Sequence, residues 1–137
     1  MASRLNPYLS FNGNARQAME FYKDVFGGEL NISTFGDFGA QDSPDANKIM
    51  HAQLEAPNGF ALMGSDTPEG MSYNPGDTIT VSLSGDDTAE LHGYWEKLAA
   101  AGKVTMPLEK QMWGDEFGMV VDQFGTPWMV NISQPQG

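Results

Sequence analysis

No cysteine occurs in these 137 residues, which removes disulfides, thiolate nucleophiles and cysteine-held zinc from consideration. Basic residues are scarce too, with seven Lys and Arg against eighteen Asp and Glu and a formal net charge of −11. No basic cluster could neutralise a phosphate backbone, so nucleic acid and anionic membranes are poor partners. The acids lie along both halves, where they favour solubility and attract cationic ligands. No segment approaches the roughly 18 apolar residues of a membrane span, and the stretch from Met1 to Pro7 lacks the apolar run of a signal peptide, so a cytoplasmic location is expected. Asn31-Ile32-Ser33 and Asn131-Ile132-Ser133 match glycosylation sequons, which carry no weight without secretion.

What is present is a globular composition, 40% hydrophobic and 18% charged, in a chain of one-domain length. Any duplication must therefore lie inside a single fold spanning residues 1–137. The first apolar run, Leu5 to Phe11, leads to Asn14-Ala15-Arg16-Gln17, which has the form of a capping box. Ala18, Met19, Tyr22, Val25 and Phe26 then recur at helical spacing, and Gly27-Gly28 can take the left-handed backbone that ends a helix, giving a helix over about 14–27. Three strands follow, at 30–35, 48–56 and 60–65, the last two joined by Pro57-Asn58-Gly59.

The same order returns after a Gly-, Pro- and Asp-rich stretch from Asp66 to Asp77. Residues 78–84 form a strand, and Asp87-Thr88-Ala89-Glu90 is a second capping box. A helix with Leu91, Tyr94, Trp95 and Leu98 on one face stops at Gly102, and strands at 104–106, 117–122 and 128–132 complete the pattern, with a turn at Gln123-Phe124-Gly125. The expected fold is α+β: two paired β-α-β-β-β modules forming a curved mixed sheet around a cup-shaped cavity. Module one covers about 1–66, a linker 67–76, and module two about 77–133.

In such modules the helix covers one sheet face, so strand alternation sorts residues between helix and cup. Ile79, Val81 and Leu83 belong under a helix, with Thr78, Thr80, Ser82 and Ser84 on the cup side. On the third strand Met50, Ala52 and Leu54 oppose Ile49, His51, Gln53 and Glu55, the last four on the cup side.

Asn6-Pro7-Tyr8-Leu9-Ser10-Phe11-Asn12-Gly13-Asn14, followed by Phe21-Tyr22 and Phe26-Gly27-Gly28, resembles the opening of the PhnB-like branch of the vicinal oxygen chelate superfamily. Gly102 to Pro107, Met112-Trp113-Gly114, Phe117-Gly118-Met119-Val120 and the closing Asp122-Gln123-Phe124-Gly125-Thr126-Pro127-Trp128-Met129 are similar to that branch's second module. The superfamily includes glyoxalases, extradiol dioxygenases, fosfomycin-modifying thiol transferases and proteins that sequester bleomycin-type antibiotics. Its enzymes hold a divalent metal with His, Gln or Glu from strands one, four, five and eight. The resemblance carries those places to Asn6, Met63, Thr80 and Met129, or with a slip of two residues to Tyr8, Ser65, Ser82 and Asn131. Neither set contains a His or a carboxylate, so no metal and no cofactor are expected.

Of the two histidines, His92 reads as a surface or partly packed helix residue. His51 sits on the cup side as a hydrogen-bonding group or general base; Glu55 on the same strand is about 13 Å away at about 3.3 Å per residue, too far to share an ion with it. Phe21, Tyr22, Phe26 and Trp95 are explained as core. Aromatics flanked by Gly and Asp, as in Phe35-Gly36-Asp37-Phe38-Gly39 and Trp113-Gly114-Asp115, fit an adaptable pocket better. The expected ligand residues are Phe35, Phe38, His51, Met63, Tyr73, Met112, Trp113 and Phe117, with no catalytic or metal residue assigned. The expected partners are a small aromatic or cationic molecule, such as an antibiotic to be sequestered, and a second copy of the chain in a homodimer. The competing expectation is a glyoxalase-like or dioxygenase-like enzyme with an unusual metal site or with His51 as base.

Overall fold

The computed structural model describes residues 3–39, 41–76 and 78–134. The chain divides into two compact units, Met1–Pro75 and Gly76–Gly137. The first contains β1 (Tyr8–Phe11), α1 (Ala15–Phe26), β2 (Glu29–Thr34), β3 (Ile49–Glu55) and β4 (Ala61–Asp66); the second contains β5 (Val81–Gly85), α2 (Thr88–Ala99), β6 (Lys103–Lys110), β7 (Glu116–Val121) and β8 (Pro127–Ile132). Each unit is thus β-α-β-β-β, as expected for the α+β class, with sheet orders β1-β4-β3-β2 and β5-β8-β7-β6. Both sheets are mixed, the first strand of each module running parallel to the fourth. Asp77, where the second module was expected to begin, lies outside the described residues.

In the first unit α1 buries Ala15, Ala18, Met19, Tyr22, Val25 and Phe26 against one face of its sheet, with Phe11, Ala52, Leu54 and Leu62 also buried. Phe21, expected in the core, is only half-buried. The helix start also differs from expectation. The Asn14 side chain makes no capping hydrogen bond. The amide of Ala15 donates instead to Oδ1 of Asp66 at 2.9 Å. That buried carboxylate also accepts from Gly13 N at 2.9 Å and Ile49 N at 2.9 Å, tying the starts of α1 and β3 to the end of β4. An anionic acceptor at a helix N-terminus is a stronger partner than a neutral amide oxygen. In α2 the expected cap forms, with Glu90 N donating to Asp87 Oδ1 at 3.1 Å.

Three strand assignments need correction. On β3 the partner of Ser33 is His51 but the partner of Thr34 is Ile49. Met50 is therefore an extra residue, and Ile49 rotates into the core, where it is 1% exposed, instead of joining the cup side. The fifth strand begins only at Val81, so Ile79 lies ahead of it and is 77% exposed rather than under a helix; Thr78 and Thr80 likewise precede the sheet. The sixth strand extends over eight residues, Lys103–Lys110, past Pro107. A proline is tolerated there because β6 is an edge strand, and the register shifts on both sides of Met106 absorb it.

Trp95, expected as a core residue, is half-buried. The buried side chains of α2 are Leu91, Tyr94 and Leu98. Trp95 lies instead over Gly118 of β7, where a Cβ would come within 2.8 Å of both its Cη2 atom and Leu108 Cα. The absence of a side chain at Gly118 is what lets the indole and the β6 backbone approach.

Candidate functional site

Each sheet gives one face to its helix and leaves the other available, so register decides which residues share the open face. In the first unit Tyr8 pairs with Met63 and Ser10 with Ser65 across β1 and β4, Met63 pairs with Gln53 on β3, and His51 pairs with Ser33 on β2. These residues alternate with the buried Ala52, Leu54, Leu62 and Gly64, which places them on the face away from α1. The phenol oxygen of Tyr8 lies 3.2 Å from His51 Nδ1, and the rings are 5.8 Å apart and tilted. Farther along β3, Glu55 Oε1 accepts from Arg4 Nη1 at 2.8 Å and from Gln53 Nε2 at 3.2 Å. The Arg4 hydrogen bond, then that of Gln53, holds the Glu55 carboxyl below the usual glutamate range.

His51 and Met63 therefore share one face, with Tyr8 reaching both. Phe35 and Phe38 lie beyond the end of β2, where the Phe35 amide donates to Lys48 O at 3.1 Å. Phe35 is half-buried and Phe38 exposed. Tyr73 is half-buried in the segment that follows β4. The loop between Phe38 and β3 is pinned by Asp45, whose carboxylate pairs with Lys48 Nζ at 2.9 Å and accepts from Glu69 N at 3.0 Å.

In the second unit Ser84, Asn131, Phe117 and Glu109 form one row across the sheet, and Ser82, Met129, Met119 and Met106 form the next. Both rows lie opposite the buried Leu83, Val120, Trp128 and Val130. The tight β6–β7 loop is closed by Gln111 N donating to Asp115 O at 2.8 Å and Gly114 N to Gln111 O at 3.0 Å. It holds Trp113 edge-on to Phe117, with centroids 5.9 Å apart. Trp113 is 59% exposed and Met112 98% exposed. Asp115 Oδ2 accepts from Asn131 Nδ2 at 3.0 Å, and Glu116 pairs with His92 of α2 at 3.2 Å. His92 is thus partly packed, as its helix position suggested.

The sequence offers Tyr8 and Asn131 only as displaced ligand positions. Tyr8 becomes significant because β4 inserts beside β1, a pairing that alternation within one strand does not reveal. Asn131 is marked by Asp115, which sits in a loop whose closure no spacing rule gives.

The closing Asp122 to Trp128 run has a structural role. Asp122 is buried; its Oδ1 accepts from Phe124 N at 2.8 Å and Thr126 N at 3.1 Å, and its Oδ2 accepts from Trp128 Nε1 at 2.8 Å. One carboxylate shapes the β7–β8 turn and satisfies the polar atom of a buried indole.

The family model described as Glyoxalase/Bleomycin resistance protein/Dioxygenase superfamily matches residues 4–130. The chain belongs to this superfamily. Protein YjdN of Escherichia coli strain K12 is 34% identical, covering 96% of this chain and 97% of its own length. The crystal structure of protein PA1353 from Pseudomonas aeruginosa superposes with a TM-score of 0.83 at 40% identity, over 98% of this chain and all of that one. The fold is shared with a Bacillus cereus protein described as a putative 3-demethylubiquinone-9 3-methyltransferase, PhnB protein, at a TM-score of 0.73 and 24% identity, over 96% of this chain and all of that one.

The resemblance carries the superfamily's metal positions to Asn6, Met63, Thr80 and Met129, or with a slip of two residues to Tyr8, Ser65, Ser82 and Asn131. Both sets offer only amide, thioether, hydroxyl and phenol donors, a poor match for a hard or borderline dication held by imidazole and carboxylate. Among the described residues, no three His, Asp or Glu side chains come together as a metal-binding group.

Proposed function

We propose that this superfamily member is a small-molecule binding protein that takes a planar aromatic or cationic ligand without a metal, in the manner of antibiotic sequestration. The observation that carries the reading is Trp113, a largely exposed indole braced edge-on by Phe117 on a loop that ends in Asp115. A braced, exposed indole stacks on a flat ring for roughly 0.5–1.5 kcal/mol beyond area burial. A cation over it gains about 0.5–2 kcal/mol more, and the net charge of −11 raises its local concentration. Met112 extends the same loop. In this reading the first unit offers a separate contact surface of its own, where His51 and Met63 share the face away from α1 and Phe35, Phe38 and Tyr73 lie in the segments that follow β2 and β4. The superfamily's membership, which includes bleomycin resistance proteins, supports a sequestering role.

Titration with a planar cationic dye and with an anionic analogue of the same ring system tests this. Saturable quenching of indole fluorescence is expected for the cation and weaker binding for the anion. No saturable binding of either would overturn it. Assembly as a two-fold homodimer belongs to the same proposal, supported by the edge strands of the two sheets, β1 and β2 in one and β5 and β6 in the other. Light scattering that gave a monomer at every concentration would refute that part.

A second reading rests on the Tyr8–His51 contact. With Nδ1–H donating to the phenol oxygen, His51 Nε2 is free to take a proton from a carbon acid. Deuterium uptake from solvent into small α-oxo substrates, lost in His51→Ala, is the expected sign of that activity. A lack of uptake by the unmodified protein rejects it.

A further inference from the structure

We propose that Met106, Met119 and Met129 form a thioether site for a soft monovalent d10 cation, with Cu(I) as the natural occupant. The three are direct cross-strand partners on adjacent strands, Met106 of β6 with Met119 of β7 and Met119 with Met129 of β8. Direct partners share a sheet face, and here it is the face away from α2, since Val120 and Trp128 on the other side are buried. Neighbouring strands are about 4.8 Å apart, so the outer two Cβ atoms are about two spacings apart. Side chains with three rotatable bonds and a terminal thioether close such a gap and bring three sulphurs around one ion.

Placement and chemistry favour this over an ordinary apolar patch. Met119 and Met129 are half-buried and Met106 is 42% exposed, so the row is shielded yet open at its β6 end. The register shifts on both sides of Met106 keep it opposite Met119 despite Pro107 one residue later. Thioether sulphur is a soft donor that selects Cu(I) over hard or borderline dications. The chain has no cysteine, so no thiolate elsewhere competes for such an ion. The acidic charge draws any cation toward the surface. Register carries this inference, and the stacking role of Trp113 does not enter it.

The full chain labelled with 13C in its methionine ε-methyl groups tests the proposal, using Ag(I) in chloride-free buffer as the air-stable probe and Cu(I) released from a chromophoric chelator as the second. Of nine methionines, the signals of Met106, Met119 and Met129 are expected to move together and saturate at one equivalent. The exposed Met71 and Met112 signals should stay in place at that point, and Zn(II) should move none of the three. Met119→Leu, close to it in volume, should weaken binding at least tenfold with the far-ultraviolet circular dichroism unchanged. If that variant does not fold, Met106→Leu at the half-exposed edge serves in its place with the same expectation. Equal response from Met71 and Met112, a row that moves without saturating, or unchanged affinity in the folded Leu variant would overturn the site and leave the row an apolar platform only.

Discussion

The phenol of Tyr8 and the imidazole of His51 meet at 3.2 Å although their strands are not neighbours, since β4 runs between β1 and β3. The contact therefore arches over the open face above Met63 and Ser65. Tyr8→Phe removes the hydroxyl and leaves the ring. Tyr8 is half-exposed, so the cost to stability is expected to be below about 1 kcal/mol. The 15N signals of the His51 ring should nevertheless shift as the Nδ1 partner is lost, changing the balance between its two neutral tautomers. Unchanged His51 signals would show that the contact does not persist in solution.

Asp122→Ala is expected to destabilise the protein by about 3–5 kcal/mol in urea unfolding. The substitution removes the carboxylate that accepts from the indole N–H of Trp128 and from the amides of Phe124 and Thr126, and each lost hydrogen bond to a buried charged acceptor costs about 1–3 kcal/mol. Asp122→Asn keeps an acceptor oxygen for some of these donors and should cost less. Near-wild-type stability of the Ala variant would mean that water reaches Trp128 Nε1.

Most of the fold was legible because its two periodicities are strong. The stripe from Ala18 to Phe26 gives α1, and the capping residues Asp87 and Glu90 give the start of α2. Sequence reasoning failed where a distant group or a local irregularity decided the outcome. Asn14 looks like a cap, yet the acceptor for Ala15 N is Asp66, 51 residues away. One bulge at Met50 reverses the parity that puts Ile49 on the wrong face. Trp95 lies on a core-facing helical stripe, but its packing depends on the missing side chain of Gly118. The candidate site was readable only as a set of residue types. His51 and Met63 share a face, and Trp113 meets Phe117. Tyr8 and the methionine row become visible only through strand order, which composition and spacing do not encode.

The Asp45 carboxyl is held below the ordinary aspartate range, first by the Lys48 hydrogen bond and then by the Glu69 amide. A depressed folded-state value means that the stabilisation is complete above the unfolded value, near pH 3.9, and is lost as pH falls through the folded one. The loop between Phe38 and β3 should therefore stay pinned at neutral pH and loosen only below about pH 4. Hydrogen exchange at the Glu69 amide, corrected for intrinsic rate, should accelerate over that acid window. In Asp45→Asn it should be fast and nearly independent of pH through the same window. Protection of the Glu69 amide that persisted in Asp45→Asn would show that other contacts hold the loop.

Trp113→Ala separates binding from folding. The indole is 59% exposed and its contact is with the ring of Phe117, so its removal should change stability by no more than about 1 kcal/mol. A planar cation that stacks on it loses both the ring face and the cation–π attraction, about 1–3 kcal/mol together, or about 5- to 150-fold in Kd. Trp95→Ala is the reverse case. Its half-buried ring packs on Gly118, so truncation should cost about 2 kcal/mol of stability, below the range for a fully buried tryptophan, with little change in affinity for the folded protein. Trp113→Phe should fall between wild type and Ala, because a smaller ring stacks with less area. Calorimetric titration of the dye into all three variants, beside their urea midpoints, gives both quantities for each. Equal affinity in wild type and Trp113→Ala would remove Trp113 from the ligand site and with it the main support for the sequestering function.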